Sequence, residues 1–195
     1  MKQNHPKKGA KTSVDPIRSP KDIAAIRRRL KKKPRDLLLF TLGVNNGLRV
    51  CDLLKLTVGQ IRDLKAGQTI QIKESKTGKI NVLAVNKKTY RTLQNYIKKL
   101  QPGDTDPLFP SQKGGGPLQT QRVQKMIKEW TRAINLKGNY GAHTLRKTFG
   151  YIQRTVYGVP FEVICKRYNH SSPAVTMRYL GIEDKEVNNI LMNEI

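Results

Sequence analysis

The chain has 195 residues, and its 38 Lys and Arg against 14 Asp and Glu give a formal net charge of +24 at pH 7. This length fits one domain with a real hydrophobic core, and the charge predicts a polyanionic partner and salt-sensitive binding. No stretch approaches the roughly 20 apolar residues that a membrane-spanning helix needs, so nucleic acid is favoured over a membrane surface.

We expect a cytoplasmic, nucleoid-associated protein. The first residues lack the apolar core of a secretory signal. Cys51 and Cys165 fall in apolar-periodic helical patterns, which favours core positions over a disulfide. No spacing of Cys and His indicates a zinc site, so neither a metal nor another cofactor is expected.

Positive charge is concentrated at the start of the chain. Residues 1–18 are polar, basic and rich in Lys, which predicts a flexible basic tail. Ser19 and Pro20 form a helix-start signal, and the helix that follows has one apolar face and a run of Arg and Lys around the rest. That run fits a solvated helix face or contact with a DNA backbone, and the total charge favours DNA.

The remaining pattern predicts an α+β fold that is mainly helical. Residues 35–44 are apolar nearly all round, which indicates a core helix. Residues 69–74 and 79–85 alternate apolar and polar around a turn, which is typical of a β-hairpin. With residues 60–62 as a third short strand, they would form a small antiparallel three-stranded sheet on one side of the helical domain. Further helices are expected at about residues 50–56, 87–100, 119–134, 143–157, 160–168, 173–180 and 184–193.

Six residues of types that act on phosphate esters are spread along the chain. Arg offers a fork of donors to phosphate oxygens, His and Lys exchange protons, and Tyr can act as a nucleophile. Taken singly, each has an ordinary structural explanation as a surface charge, a hydrated turn, a helix cap or a core aromatic. The six are Arg49, Lys76, His143, Arg146, His170 and Tyr179.

The order and local sequence of these positions resemble the tyrosine recombinases, the phage-integrase family. Residues 46–56, Asn-Gly-Leu-Arg-Val-Cys-Asp-Leu-Leu-Lys-Leu, are similar to the first conserved box of that family. Residues 74–79 are similar to its lysine-bearing hairpin, and residues 143–149 and 170–179 are similar to its second box. The resemblance covers about residues 19–195, which we therefore expect to form one catalytic domain.

The chain departs from the family pattern in two places. Asn169 precedes the second histidine where the family usually has Gly, and since Asn tolerates a left-handed backbone we expect the turn to be kept. Family members also commonly carry a separate N-terminal core-binding domain. With about eighteen residues ahead of the first helix, we expect no such domain here, whether the chain is an excised domain or a naturally short enzyme.

The resemblance implies a site-specific DNA recombinase or integrase. Such an enzyme cleaves and rejoins double-stranded DNA through a covalent 3′-phosphotyrosine, without metal or ATP. Tyr179 would be the nucleophile, and Arg49 and Arg146 would clamp the non-bridging phosphate oxygens. Lys76 would protonate the leaving 5′-oxygen. The nearby positive charges are expected to favour the phenolate of Tyr179.

Three further roles follow from the resemblance and the spacing. His143 would accept the tyrosine proton or hold its geometry, and His170 would donate a hydrogen bond to the phosphate. Asp52 lies one helical turn after Arg49, where it either orients that arginine or is a surface carboxylate.

Self-assembly on DNA is also implied by the resemblance. We expect a monomer in solution and four protomers around two duplexes, with the apolar side of the helix at residues 184–193 docked on a neighbour or on its own chain. Two other functions stay open. A type IB topoisomerase-like enzyme would relax DNA as a monomer, and a non-catalytic DNA-binding protein would leave the six residues unexplained.

Overall fold

The computed structural model describes residues 13–112, 114–182 and 194, which form helices and one antiparallel two-stranded sheet. The mainly helical α+β prediction is therefore confirmed. The helix expected at residues 184–193, with its apolar docking side, lies outside the described residues. The elements are α1 (Pro20–Leu30), α2 (Pro34–Asn46), α3 (Val50–Leu53), β1 (Thr69–Lys73), β2 (Ile80–Ala84), α4 (Lys87–Leu100), α5 (Thr120–Arg132), α6 (Thr144–Thr155), α7 (Phe161–Tyr168) and α8 (Pro173–Leu180).

Local sequence signals start three of these helices. The side chain of Ser19 caps α1 by accepting a hydrogen bond from the backbone of Lys21, and Asn86 caps α4 in the same way. Ser172 caps α8 by accepting from the backbone of Val175. Each cap satisfies one of the free N–H groups at a helix start, so these boundaries follow from local chemistry.

Helix α2 lies at the centre of the fold and packs against α1, α4 and α6. The ring of Phe40 meets Trp130 of α5 edge to face, with centroids 5.9 Å apart. A Cβ added to Gly43 would lie 2.5 Å from Cδ1 of Leu145, so glycine is what lets α2 and α6 approach this closely. The close approach brings the turn after α2 beside the first residues of α6, where the site forms.

The hairpin has two strands and lacks the predicted third. Thr69 of β1 pairs with Ala84 of β2, and Lys73 pairs with Ile80. Residues 60–62 instead form a turn, in which two backbone N–H groups donate to the carbonyl of Val58. The three-strand prediction is wrong here because a single apolar residue in a short run fits a turn that buries one side chain as well as it fits a strand.

Residues 13–18, which we call the N-terminal strap, pack on the domain. Ile17 is 0% exposed, and its N–H donates to Oγ1 of Thr148 at 2.8 Å. The backbone N–H of Asp15 donates to the carbonyl of Asn139 at 2.7 Å. The strap therefore differs from the flexible tail predicted over residues 1–18, because Ile17 anchors an otherwise polar segment. Residues 1–12 lie outside the described residues.

In the part of the chain that the structure describes, none of the helices combines the length and apolar character needed to cross a bilayer.

Candidate active site

Arg146 of α6 lies at the floor of the site, where it is 3% exposed. Its Nη1 donates to the carbonyl of Gly47 at 2.6 Å and its Nη2 to the carbonyl of Tyr168 at 2.8 Å. The guanidinium carbon lies 4.1 Å from the centroid of the Tyr168 ring. Burial lowers the pKa of Arg146, but a guanidinium stays charged at neutral pH. Arg146 thus holds a fixed positive charge between the turn after α2 and the end of α7.

Arg49 immediately precedes α3, and its side chain forms an ion pair with Glu74, a residue that the sequence did not single out. Nη1 of Arg49 lies 2.6 Å from Oε2 of Glu74, whose side chain is 0% exposed. Thr77 and Asn81 also donate hydrogen bonds to this carboxylate, at 2.6 and 2.8 Å. Burial alone would raise the pKa of Glu74, but the hydrogen bonds from Thr77, Asn81 and Arg49 and the arginine charge together lower it to about 2.

Asp52 does not serve as the partner of Arg49. It is buried, so it is not a surface carboxylate either, and its Oδ1 accepts a hydrogen bond from the backbone N–H of Ser75 at 2.8 Å. Asp52 therefore holds the base of the hairpin turn, while Glu74 pairs with the arginine. An acidic residue two positions before Lys76 in so basic a chain was the available signal for Glu74, although a sequence alone does not give its partner.

Lys76 lies exposed in the turn between β1 and β2. The backbone on either side of it is fixed, since Ser75 is bonded to Asp52 and the N–H of Gly78 donates to the carbonyl of Glu74 at 2.9 Å. The Lys76 charge is close enough to the site to lower the pKa of His143. The hairpin thus carries the Lys76 ammonium within electrostatic range of His143, on a turn whose base is held by hydrogen bonds.

His143 immediately precedes α6, and its side chain is partly exposed and partly packed against the site. Desolvation lowers its pKa, and the charges of Arg146 and Arg49, followed by those of Lys76 and Lys147, lower it further. At pH 7 the imidazole is therefore held mainly neutral and can accept a proton.

His170 follows the turn at Asn169, which has φ 53° and ψ 34°, so asparagine does adopt the left-handed conformation there. Nδ1 of His170 lies 3.0 Å from Oγ1 of Thr176. Burial, with the charges of Arg146 and Arg49, lowers the pKa of His170 to about 4. The ring is thus neutral at pH 7, with one nitrogen bonded to the threonine hydroxyl.

Tyr179 on α8 has a buried hydroxyl with no hydrogen-bond partner among the described residues. Its ring contacts His170 and Tyr168 edge to face, with centroids 5.2 and 5.8 Å away. Burial raises the pKa of Tyr179 to about 12, although Arg146 and Arg49 act in the opposite direction. The two arginines thus favour the phenolate as expected, but desolvation outweighs them, so the phenol keeps its proton in this free state.

A cleft of about 340 Å³ opens beside the Tyr179 ring. Helix α6, helix α8 and the N-terminal strap enclose it. Its lining consists of Ser13, Val14, His143, Lys147, Val175, Arg178 and Tyr179.

The structure brings the six sequence-predicted residues into one neighbourhood. Arg49 and Arg146 act electrostatically on Tyr179 and on both histidines, and Lys76 acts on His143. The cluster combines two guanidinium groups, two imidazoles that are mainly neutral at pH 7 and the buried phenol hydroxyl of Tyr179. Such a site suits a phosphodiester that receives a nucleophile.

The pair between Glu74 and Arg49 leads to a stability prediction. Glu74→Gln should lower the free energy of unfolding at pH 7 by about 2–3 kcal/mol, because a largely buried arginine loses its counter-charge. Urea titration measures the change. Glu129→Gln is the matched control, since Glu129 pairs with Arg122 on the surface and its loss should cost less than about 1 kcal/mol.

The difference in unfolding free energy between wild type and Glu74→Gln should depend on pH. The pKa of Glu74 is depressed on folding from 4.5 to about 2, so its contribution is fully present above pH 4.5 and is lost as the pH falls towards 2. The stability gap between wild type and Glu74→Gln should therefore narrow over that window. A gap that widens at acidic pH would contradict the ion pair.

Comparisons with known proteins show which proteins this chain resembles. Residues 19–186 match the profile of the phage integrase family. The chain is 34% identical over 174 residues to the probable integrase/recombinase YoeC of Bacillus subtilis, a match that covers 88% of this chain and 91% of YoeC. Several other curated tyrosine recombinases match as well, but the chain spans only about half of their length.

Solved structures show the same fold. The crystal structure of XerA recombinase matches with a TM-score of 0.73 and 19% identity, over 94% of this chain and 68% of that one. The XerH site-specific recombinase, bound to a palindromic difH substrate after cleavage, matches with a TM-score of 0.69 and 21% identity, over 87% of this chain and 50% of that one.

Proposed function

The chain belongs to the phage integrase family, and from this premise we propose that it is a site-specific DNA recombinase that works through a covalent 3′-phosphotyrosine. The observation that carries the proposal is the buried hydroxyl of Tyr179, which has no hydrogen-bond partner among the described residues and lies close to two guanidinium groups. Among the described residues the Tyr96 hydroxyl is buried without a partner as well, so it is the two guanidinium groups near Tyr179, together with burial, that favour a chemical role for this hydroxyl.

In the proposed first step, Oη of Tyr179 attacks the scissile phosphorus of one DNA strand. A bond forms between Oη and phosphorus, and the bond from phosphorus to the 5′-oxygen breaks. The phenol proton passes to neutral His143, and the leaving 5′-oxygen takes a proton from Lys76. Burial keeps the pKa of Tyr179 at about 12 until the phosphate is bound, so proton removal must accompany the attack.

The two arginines would bind the non-bridging oxygens, on which negative charge builds up in the transition state. The Arg146 guanidinium is preorganised, because its hydrogen bonds to the backbone carbonyls of Gly47 and Tyr168 fix it before DNA binds. Preorganised donors of this kind are worth several kcal/mol in rate. His170, bonded through Nδ1 to Thr176, would donate its other ring nitrogen to the phosphate.

In the second step, the 5′-hydroxyl of a partner strand attacks the phosphotyrosine. The bond from phosphorus to the 5′-oxygen re-forms as the bond from phosphorus to Oη of Tyr179 breaks. The proton of the attacking hydroxyl passes to the neutral Lys76 amine, and protonated His143 returns its proton to Oη. The covalent intermediate preserves the energy of the phosphodiester bond, so the exchange as proposed requires neither ATP nor a metal ion. We propose a monomer in solution that assembles with other protomers on double-stranded DNA; size measurement with and without a bound duplex tests this.

One experiment tests the function directly. The protein is incubated with nicked genomic DNA fragments, from which the short cleaved strand diffuses away, and covalent adducts are recovered in denaturant. We expect protein attached to 3′-phosphate ends with free 5′-hydroxyl partners, and sequencing of the attached ends gives the target site. Binding that falls steeply with salt and yields no adduct would indicate a non-catalytic DNA-binding protein.

A plasmid that carries the trapped DNA site then distinguishes a recombinase from a type IB topoisomerase-like enzyme. A supercoiled plasmid that carries two copies of it should yield exchanged products. Relaxation of the plasmid without exchange would identify a type IB topoisomerase-like enzyme instead.

A further inference from the structure

The N-terminal strap ends beside the nucleophile. It lies ahead of the matched family region, which begins at residue 19. Even so, Ser13 and Val14 line the cleft next to Tyr179. One side of the cleft is therefore formed by residues that lie outside the matched family region.

Lys147 connects this wall to the nucleophile. It is 5% exposed, and its Nζ donates to Oγ of Ser13 at 2.8 Å. The same Nζ lies 5.0 Å from the centroid of the Tyr179 ring. Among residues 13–112, 114–182 and 194, no carboxylate forms an ion pair with this ammonium. The nearest described partners of a buried cation are thus a serine hydroxyl and an aromatic ring.

We propose that Lys147, clamped by Ser13 of the N-terminal strap, is a positioning residue that holds and polarises the Tyr179 ring for attack on DNA. The proposal rests on the proposed function, in which Tyr179 is the nucleophile. It extends that function to two residues that act through the tyrosine.

Ring contacts orient the side chain of Tyr179. Among the described residues the hydroxyl of Tyr179 has no hydrogen bond of normal geometry, although Arg146 acts on it, so ring contacts contribute strongly to the direction of the side chain. Tyr168 and His170 pack their rings on it edge to face, and the Lys147 ammonium adds a further contact. Cation–ring attraction grows when the cation is desolvated, as it is here.

The charge of Lys147 also favours ionisation of Tyr179. A cation over a phenol ring attracts the phenolate more strongly than the neutral phenol, so the interaction strengthens as the tyrosine proton leaves. Asp15, also in the strap, helps to keep the ammonium protonated against the desolvation that lowers the pKa of Lys147. The strap thus supplies both the hydroxyl that orients Lys147 and the carboxylate that supports its charge.

Hydrogen bonds to α6 hold the N-terminal strap in place. The hydroxyl of Thr144 donates to the carbonyl of Asp15 at 2.9 Å, and Ile17 is bonded to Thr148. Because Thr144, Lys147 and Thr148 all lie on α6, the strap and the lysine are fixed to the same helix. Ser13 is therefore held in place beside Nζ.

Four full-chain variants test the clamp on a nicked duplex that carries a trapped site. Lys147→Met keeps the side-chain volume and removes the charge, and we expect the cleavage rate at saturating DNA to fall roughly 5- to 30-fold with the half-saturating DNA concentration unchanged. Lys147→Arg should recover much of the rate. Ser13→Ala should lower the rate less, and Ser13→Ala combined with Lys147→Met should be no slower than Lys147→Met alone.

The control is Lys166→Met, which removes one charge from an exposed position and should leave the cleavage rate unchanged. A Lys147→Met variant that loses DNA affinity but keeps its saturated rate would overturn the proposal, since the lysine would then be a phosphate contact. Multiplicative effects of the two substitutions would also overturn it, because Ser13 would then act independently of Lys147.

A DNA-free measurement separates this proposal from the proposed function. With 3-fluorotyrosine at position 179, the fluorine resonance should shift in Lys147→Met and in Ser13→Ala, and stay in place in Lys166→Met. A fluorine resonance that is unshifted in both Lys147→Met and Ser13→Ala refutes the clamp, even if wild type cleaves DNA. Shifted resonances with no adduct from wild type would leave the contact established and the recombinase function refuted.

Discussion

Tyr179→Phe is expected to abolish the covalent protein–DNA adduct and to leave DNA affinity unchanged. The substitution removes only the hydroxyl, which has no hydrogen-bond partner among the described residues, so no donor or acceptor is left unpaired. Removing an unsatisfied buried polar atom should even stabilise the fold, by up to about 1 kcal/mol. Denaturing gels on the nicked substrate measure the adduct, filter binding measures affinity, and urea titration measures stability.

Two other tyrosines provide matched controls. Tyr157→Phe changes a ring that is 69% exposed, and all three measurements should stay at wild-type values. Tyr168→Phe removes a fully buried hydroxyl that donates to the carbonyl of Arg146, so it should destabilise the fold by about 1 kcal/mol and still allow an adduct. If Tyr179→Phe still becomes attached to DNA, the nucleophile assignment is wrong.

Local chemistry explains which parts of the fold could be predicted from the sequence. Ser19 and Ser172 each precede a proline and cap a helix, and Asn86 caps another, so these starts depend only on neighbouring residues. The hairpin follows from the alternation of apolar and polar residues in β1 and β2. The run at residues 60–62 was too short for that rule, and its turn depends on contacts with the rest of the fold.

The parts of the site that could not be predicted depend on long-range contacts. Glu74 reaches Arg49 only because the hairpin folds onto the start of α3, and Ser13 meets Lys147 across 134 positions of sequence. The pKa of Tyr179 could not be predicted from the sequence either. The sequence gives the number of nearby cations but not the burial, and burial raises this pKa to about 12 despite two arginines.

Lys76→Ala should slow the cleavage of ordinary DNA by roughly 10²- to 10⁴-fold, the range expected for loss of a general acid. The leaving 5′-alkoxide is strongly basic and departs slowly without a proton. Lys79→Ala is the matched control, because it removes the same charge from an exposed position three residues further along the hairpin. We expect it to cleave at nearly the wild-type rate. Quenched-flow measurement of adduct formation at saturating DNA gives these rates.

A modified substrate distinguishes acid catalysis by Lys76 from a binding role. When sulfur replaces the bridging 5′-oxygen, the leaving group is a thiolate, whose conjugate acid has a pKa of roughly 8.5, and it departs without a proton. Lys76→Ala should then cleave as fast as wild type. An equally slow reaction on the sulfur substrate would show that Lys76 contacts the phosphate rather than protonating the leaving group. The hairpin base is held through Asp52 and Glu74, neither of which the substitution alters, so a collapsed turn would not explain either result.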